Sequence, residues 1–275
     1  MKILLLIILL INLGCSQVKE NSFQFRPIKC NPDEMPKFDG NKVTFLDDQG
    51  NPLKDTIIGE IEKRRRVFKP CREIIYKSEF KTKKGELISK GRIKMMAKGK
   101  RWQYQPDKQD EILIQYEFSQ KDFDSNKIHQ LNKGLIADKW VGEVTEGVIE
   151  NVEKVWMHPF RFNQYNFTEV APFPEIKFPL RIGKTWTGNL QIQEGWGDWE
   201  NTSVYSEYQV VNKETIITSY GKIKNCWKIK SKAKFKLGES TFDYWFQEEL
   251  GFVKMSYKNY GNQTLQIVLV DVIEN

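Results

Sequence analysis

The chain has 275 residues, 40% of them hydrophobic and 29% charged, with a formal net charge of +7. That length and apolar content can bury a sizeable core and exclude a disordered chain. Two histidines, and four cysteines without a Cys-x-x-Cys pair, are too few for a Cys/His zinc site, so no metal and no cofactor is expected.

The chain opens on Met1 and Lys2, nine apolar residues at 3–11, then Asn12, Leu13, Gly14, Cys15 and Ser16. Nine apolar residues fall well short of the ~20 a helix needs to cross a bilayer. One positive charge, a short apolar run and a small residue at the cut describe a secretory signal over residues 1–14. Cysteine directly after Gly14 resembles the lipobox of bacterial lipoproteins, with Asn12 where Leu is usual. The resemblance implies diacylglycerol on the Cys15 thiol and cleavage before it. Two or three acyl chains hold a protein on a membrane where one does not, at ~0.8 kcal/mol per buried methylene. With Ser16 and no Asp after the cysteine, the start resembles lipoproteins sent to the outer membrane. A membrane reached through the lipid is the expected partner, and an exported chain meets no nucleic acid. Loss of Lys2 leaves a mildly basic surface suited to solubility or to anionic lipids and glycans.

Residues 15–40 read as a lipidated tether, polar and with three prolines up to Pro36. Cys30 and Cys71 both lie in Pro-flanked polar stretches and are the candidate disulfide for an oxidising compartment, closing a loop of about 40 residues. Cys226 would remain a thiol. Residues 41–140 predict an N-terminal β half. Strands are expected at 42–46, 73–82, 86–97, 101–105 and 111–118, with a turn at 47–51 and a hairpin at Lys83, Lys84 and Gly85. Only 56–68, with Ile57, Ile58, Ile61 and Arg65 at helical spacing, predicts a helix, weakened by Gly59.

Residues 141–200 are rich in Trp and Pro. Prolines 159, 172, 174 and 179 forbid helix and central strand around them, so an extended crossing segment is expected. Residues 201–275 predict a C-terminal meander. From 222 to 236 lysines fall on one parity and Ile223, Trp227, Ile229, Ala233 and Phe235 on the other, a strand with one wet and one packed face. Cys226 lands on the lysine parity unless a bulge near Asn225 shifts the phase. Further strands are expected at 204–211, 214–219, 242–246 and 253–257, with a turn at Gly251. Residues 265–273 are apolar on both parities and predict a strand buried on both sides. The fold class is all-β: an antiparallel meander forming a curved sheet, open barrel or sandwich.

Several runs carry a wider likeness. They are Trp156 to Arg161, Pro172 to Glu175, Gly183 to Trp186, Asn225 to Ile229, and Tyr244 to Lys254. With these the chain resembles a group of uncharacterised lipoproteins from Bacteroidetes-type bacteria. Its C-terminal hairpins are similar to exported proteins with curved, incompletely closed barrels, such as the Lol lipoprotein carriers. The second likeness implies an architecture, not a ligand.

No motif declares catalysis: Gly-x-Ser-x-Gly, His-Glu-x-x-His, the P-loop and the dinucleotide fingerprint are absent. Trp196 and Trp199, beside Gly195, Gly197 and Asp198, form a candidate sugar-stacking surface, or else pack between the sheet halves. His158 and Arg161 are a candidate site for a phosphate or carboxylate, or else structural. Function is therefore expected to be non-enzymatic: binding of an apolar or lipid-like ligand, or support of an envelope assembly. The alternatives are glycan binding at the tryptophans and a hydrolase centred near His158.

Overall fold

The computed structural model describes residues 23–30, 42–46, 51–57, 66–118 and 141–274. The signal, Cys15 and the expected turn after residue 46 lie almost wholly outside these residues. β1 (Lys42–Leu46) and β2 (Pro52–Ile57) form a separate antiparallel pair. Residues 56 and 57, expected to open a helix, are the end of β2; the rest of that prediction up to residue 65 lies outside the described residues. Thr56 and Ile57 pair with Val43 and Lys42, so strand pairing overrides the local helical spacing.

The other twelve strands make one antiparallel sheet. The first six are β3 (Glu73–Lys81), β4 (Leu87–Arg101), β5 (Asp110–Glu117), β6 (Glu143–Glu150), β7 (Lys154–Met157) and β8 (Glu175–Lys177). The rest are β9 (Thr185–Ile192), β10 (Thr202–Thr218), β11 (Gly221–Phe235), β12 (Gly238–Gln247), β13 (Gly251–Lys258) and β14 (Thr264–Ile273). Their spatial order is β8-β7-β6-β5-β4-β3-β14-β13-β12-β11-β10-β9. The chain thus starts at the centre, winds out to one edge, crosses to the other and winds back until β14 zips onto β3, Ile273 opposite Glu73. The two edges, β8 and β9, are consecutive in sequence, and the sheet curls into a nearly closed open barrel. The sandwich is not formed, because β14 and β3 join both β halves in one sheet.

The stretch 141–200, expected as an extended crossing, carries β6 to β9. Its prolines keep to the rule that predicted the crossing: 159, 172, 174 and 179 all lie outside strands. The expected strand at 101–105 is replaced by turns after Arg101. In β14 burial alternates instead of covering both faces: Leu265, Ile267 and Leu269 face the core, while Ile273 is exposed. In β11 Asn225 adopts φ 57° and the register to β10 slips between Ile223 and Cys226, so the thiol is buried although it lies on the lysine parity; a second slip, between Val210 and Asn212 of β10, precedes the return of the core to Ile229.

Before Trp227 the strand β11 pairs with β10 alone, a two-stranded arm whose tip, Ile217 to Ser219, lies beside Lys77, Lys254 and Val268 on the outer face of the sheet. Glu214 on the arm accepts a 2.6 Å hydrogen bond from the Trp245 indole of β12.

The N-terminal segment 23–30 runs across the outer face of β4 and β5. Phe23 bridges to Phe118, and the Phe25 ring lies against Arg92 and Lys94. The Arg26 backbone receives Lys94 and donates to Gln115, both buried although outward by parity. The segment ends at Cys30, bonded to Cys71. Around Cys71, the Glu150 carboxylate accepts the backbone N–H groups of Arg66, Val67 and Phe68 at 2.8–3.1 Å. Arg72 donates to the carbonyls of Arg66 and Glu249 and to the Glu274 carboxylate. Val67 rests so close to Gly251 that a Cβ there would lie 2.5 Å from it, which together with a φ of +78° explains the glycine.

Candidate functional site

The concave side of the sheet holds its own occupant. After β7 the chain turns inward at His158 and forms a 3-10 helix, Asn163–Val170, in which every residue is buried. Phe160 packs on Tyr76 of β3 at 5.7 Å and Tyr165 stacks on Tyr116 of β5 at 5.7 Å. Phe167 spans the lumen, touching Phe80 of β3 and Tyr257 of β13. Residues 158–173 therefore plug the space that an open barrel would offer a ligand. Local chemistry shapes the plug. Asn163 takes φ 58°, tolerated by Asn, and its side-chain amide pairs both backbone groups of Val141 at 2.9 Å. Gly91 of β4 leaves room for it, since a Cβ there would lie 3.0 Å from the Gln164 amide and the Tyr165 hydroxyl.

Arg161 is the plug's charged pin. Its Nε and Nη2 grip Glu146 of β6 in a fork at 3.1 and 3.0 Å, and its Nη1 reaches Glu169 at 3.3 Å. Both carboxylates are almost fully buried. Burial holds Glu146 and Glu169 above the usual carboxylate range, against the pull of the guanidinium. Burial pulls Arg161 down, but the two carboxylates more than offset this and its pKa is raised. Bidentate geometry of this kind is the strong form of the ion pair.

His158 stands beside this group, 3.9 Å from Glu146, with its ring among Trp102, Trp156 and Phe173 at 4.7–5.9 Å. Burial, and then the Arg161 charge, push its pKa down to about 3. The fold thus brings the two predicted residues together, adding two acids that sequence reasoning missed. The arrangement serves packing. The imidazole is neutral and enclosed by rings, and Arg161 is saturated by carboxylates, so the pair is not set out for a phosphate. Its depressed pKa has a consequence for stability. The unfolded chain takes up a proton near pH 6.5 that the folded chain refuses until about pH 3, so this group's contribution is present above pH 6.5 and is lost as pH falls. The His158→Phe variant is expected to keep the ring contacts without that penalty. Its stability relative to the parent should rise by on the order of 2 kcal/mol between pH 7 and 4.5 in urea titrations; a pH-independent difference contradicts the assignment.

Of the two tryptophans, Trp199 takes the packed alternative. Trp199 is 0% exposed, turned inward by the 3-10 turn Gly197–Trp199, and its indole donates to the Tyr260 hydroxyl at 3.1 Å. Trp196 stacks on it at 6.5 Å and is partly buried against the core. A ring with no open face cannot stack a sugar, so Trp199 belongs to the packing. Cys15 lies outside the described residues. Among the described residues no group of three or more His, Cys, Asp or Glu is placed to hold a metal ion.

No family model and no curated sequence matches the chain. Solved structures similar to it include a candidate exported protein with a YmcC-like fold from Bacteroides fragilis, at 11% identity and TM-score 0.47, covering 78% of this chain and 100% of that one. A candidate lipoprotein from Parabacteroides distasonis gives 10% identity and TM-score 0.45, covering 78% and 100%. A LolA superfamily protein from Nitrosomonas europaea gives 9% identity and TM-score 0.29, covering 77% and 89%.

Proposed function

We propose that the protein is an exported lipoprotein, anchored through Cys15, that holds an acyl chain inside the barrel when the plug of residues 158–173 is displaced. The observation that carries this reading is the composition of the plug. Within Asn163–Val170 the buried residues include Asn163, Gln164, Asn166, Thr168 and Glu169. Burying an amide or a carboxyl costs free energy unless every polar atom is paired, and the Gln164 Oε1 has no partner among the described residues. A segment that only filled a core would be more stable if apolar. The walls around it are apolar and aromatic: Tyr76, Phe80, Tyr116, Phe242 and Tyr257 line the space that Tyr165 and Phe167 occupy. A plug of this kind exchanges with an apolar ligand at small net cost, because chain and ligand use the same wall.

Loosening the plug tests the reading. The Gly91→Ala variant places one carbon against Gln164 and Tyr165, and against the Glu117 carbonyl of β5, and should shift the equilibrium toward the open barrel by the part of the crowding that plug release relieves. Binding of a fluorescent fatty acid is expected to tighten by about tenfold, the ~1.4 kcal/mol of one crowded contact. The reading fails if the parent and the variant, both shown folded by circular dichroism, bind no fatty acid and copurify with no lipid by mass spectrometry.

A further inference from the structure

The outer face of the sheet is as patterned as the inner one. Across six strands, β4 to β11, register aligns Arg92, Lys77, Val268, Lys254, Trp245 and Lys228 in one row. A second row, one step along the strands, sets Lys90 and Lys230 against Glu79 and Asp243. In a third, Lys81, Lys258 and Lys232 alternate with threonines. Glu117 and Glu207 bridge Arg92 and Lys232 at the two ends. The face is therefore strongly basic, about 24 Å wide at ~4.8 Å per strand.

The hairpin arm puts apolar groups over this face. Ile217 at its tip is 83% exposed and Tyr220 42%. Ile217, Thr218 and Ser219 share a recess with Lys77, Lys254 and Val268 of the first row. Lys222 and Lys224 flank the tip, both exposed. A second groove of about 710 Å³ opens over β9 to β12, its walls carrying Lys230 and Lys232 together with Glu207 and Asp243. Exposed apolar residues ringed by lysines are the pattern of a surface that rests on anionic lipid, where each Lys or Arg adds attraction within a Debye length and the apolar tip enters the headgroup layer.

The tether points the same way. Segment 23–30 crosses β4 with Phe25 against Arg92, at one end of the first row. Only seven residues lie between Cys15 and Phe23, eight Cα–Cα steps with a reach of at most about 28 Å. A lipid on Cys15 therefore keeps the bilayer within about 28 Å of Phe23, a distance comparable with the width of this face.

We infer that the basic outer face of β4 to β11, with the hairpin tip Ile217–Tyr220, docks on an anionic phospholipid surface. The inference rests on the anchored reading of Cys15, and its test separates the two. Ile217→Cys, labelled with an environment-sensitive fluorophore, is reconstituted as the full lipidated protein into phosphatidylcholine vesicles with or without phosphatidylglycerol. Cys226 is buried and Cys30 and Cys71 are bonded, so the label reports the tip. Expected are a blue shift and protection from aqueous quencher only with phosphatidylglycerol, both lost as salt rises from ~0.05 to ~0.5 M. Each exposed lysine is worth about fivefold in the docking equilibrium, so Lys77→Gln with Lys258→Gln should weaken it about 25-fold. Flotation reads the anchor and the label reads the face. Protein that floats while the tip stays in water, or a tip that enters both kinds of vesicle equally, overturns the docking surface. Protein that does not float loses the anchor, and the label then tests the face against added phosphatidylglycerol vesicles with the same two outcomes.

Discussion

Replacing Arg161 by Met is expected to cost about 3–5 kcal/mol of stability at pH 8, because it strips the cation bonded to two buried carboxylates. The sign of its pH dependence identifies the mechanism. Glu146 and Glu169 already sit above the ordinary carboxylate range by burial, and without the guanidinium they rise further. A raised acid contributes stability that is fully present below its unfolded value and lost as pH rises through the folded one. The deficit of Arg161→Met should therefore shrink from pH 8 towards pH 5, as both acids take up protons and need no partner. Urea titrations at pH 5, 6.5 and 8 measure this. A companion with Glu146→Gln and Glu169→Gln added should recover most of the loss at pH 8, since the uncompensated charge is what costs. A deficit that ignores pH, or that the glutamines do not relieve, would assign the loss to packing of the Arg161 stem.

The second large effect lies at the other end of the fold. Removing the Cys30–Cys71 bond, by Cys30→Ser with Cys71→Ser, is expected to cost about 4 kcal/mol on the chain-entropy model for a separation of 41 residues. The loss should appear first as release of segment 23–30, which holds the sheet through the Phe23–Phe118 bridge and the Arg26 contacts to Lys94 and Gln115. Hydrogen exchange at Phe23 and Phe118 should then quicken by several orders of magnitude while β12 and β13 stay protected. Uniform loss of protection across the barrel would instead make the bond part of the global core. Because this segment fixes where the tether leaves the body, the same variant should also loosen the docking of the hairpin tip.

How much of this was legible depends on the range of each interaction. The alternation of lysines and apolar residues through β11 is local and was readable, as were β1, β3, β5, β12 and β13. The phase shift at Asn225 was foreseeable as one of two solutions, and the structure takes it. Pairing of β14 with β3 joins residues some 190 positions apart, and nothing local marks such a register. The helix expected from residue 56 failed at its start because β1 supplied a partner. The plug was hidden for a different reason. Asn163, Gln164, Asn166 and Glu169 are residue types that hydrophobic patterning sends to the surface, and here they lie in the lumen. Proximity of His158 and Arg161 was visible in the sequence, yet Glu146 comes from another strand and Glu169 from the plug itself. For Trp199 the sequence left two readings open, and the 3-10 turn Gly197–Trp199 selects the packed one.

Order of synthesis gives the β14–β3 seam a meaning for biogenesis. An emerging chain can build outward from β3 to β8 as soon as those strands are free to pair, but β3 keeps one bare edge until β14 arrives. Such long-range closure is slow, and a bare edge invites pairing between neighbouring chains. A molecule stalled or clipped before Thr264 would leave that edge open for good. Completion of the barrel thus waits on delivery of β14, and pairing between neighbouring chains is the hazard of the interval before it.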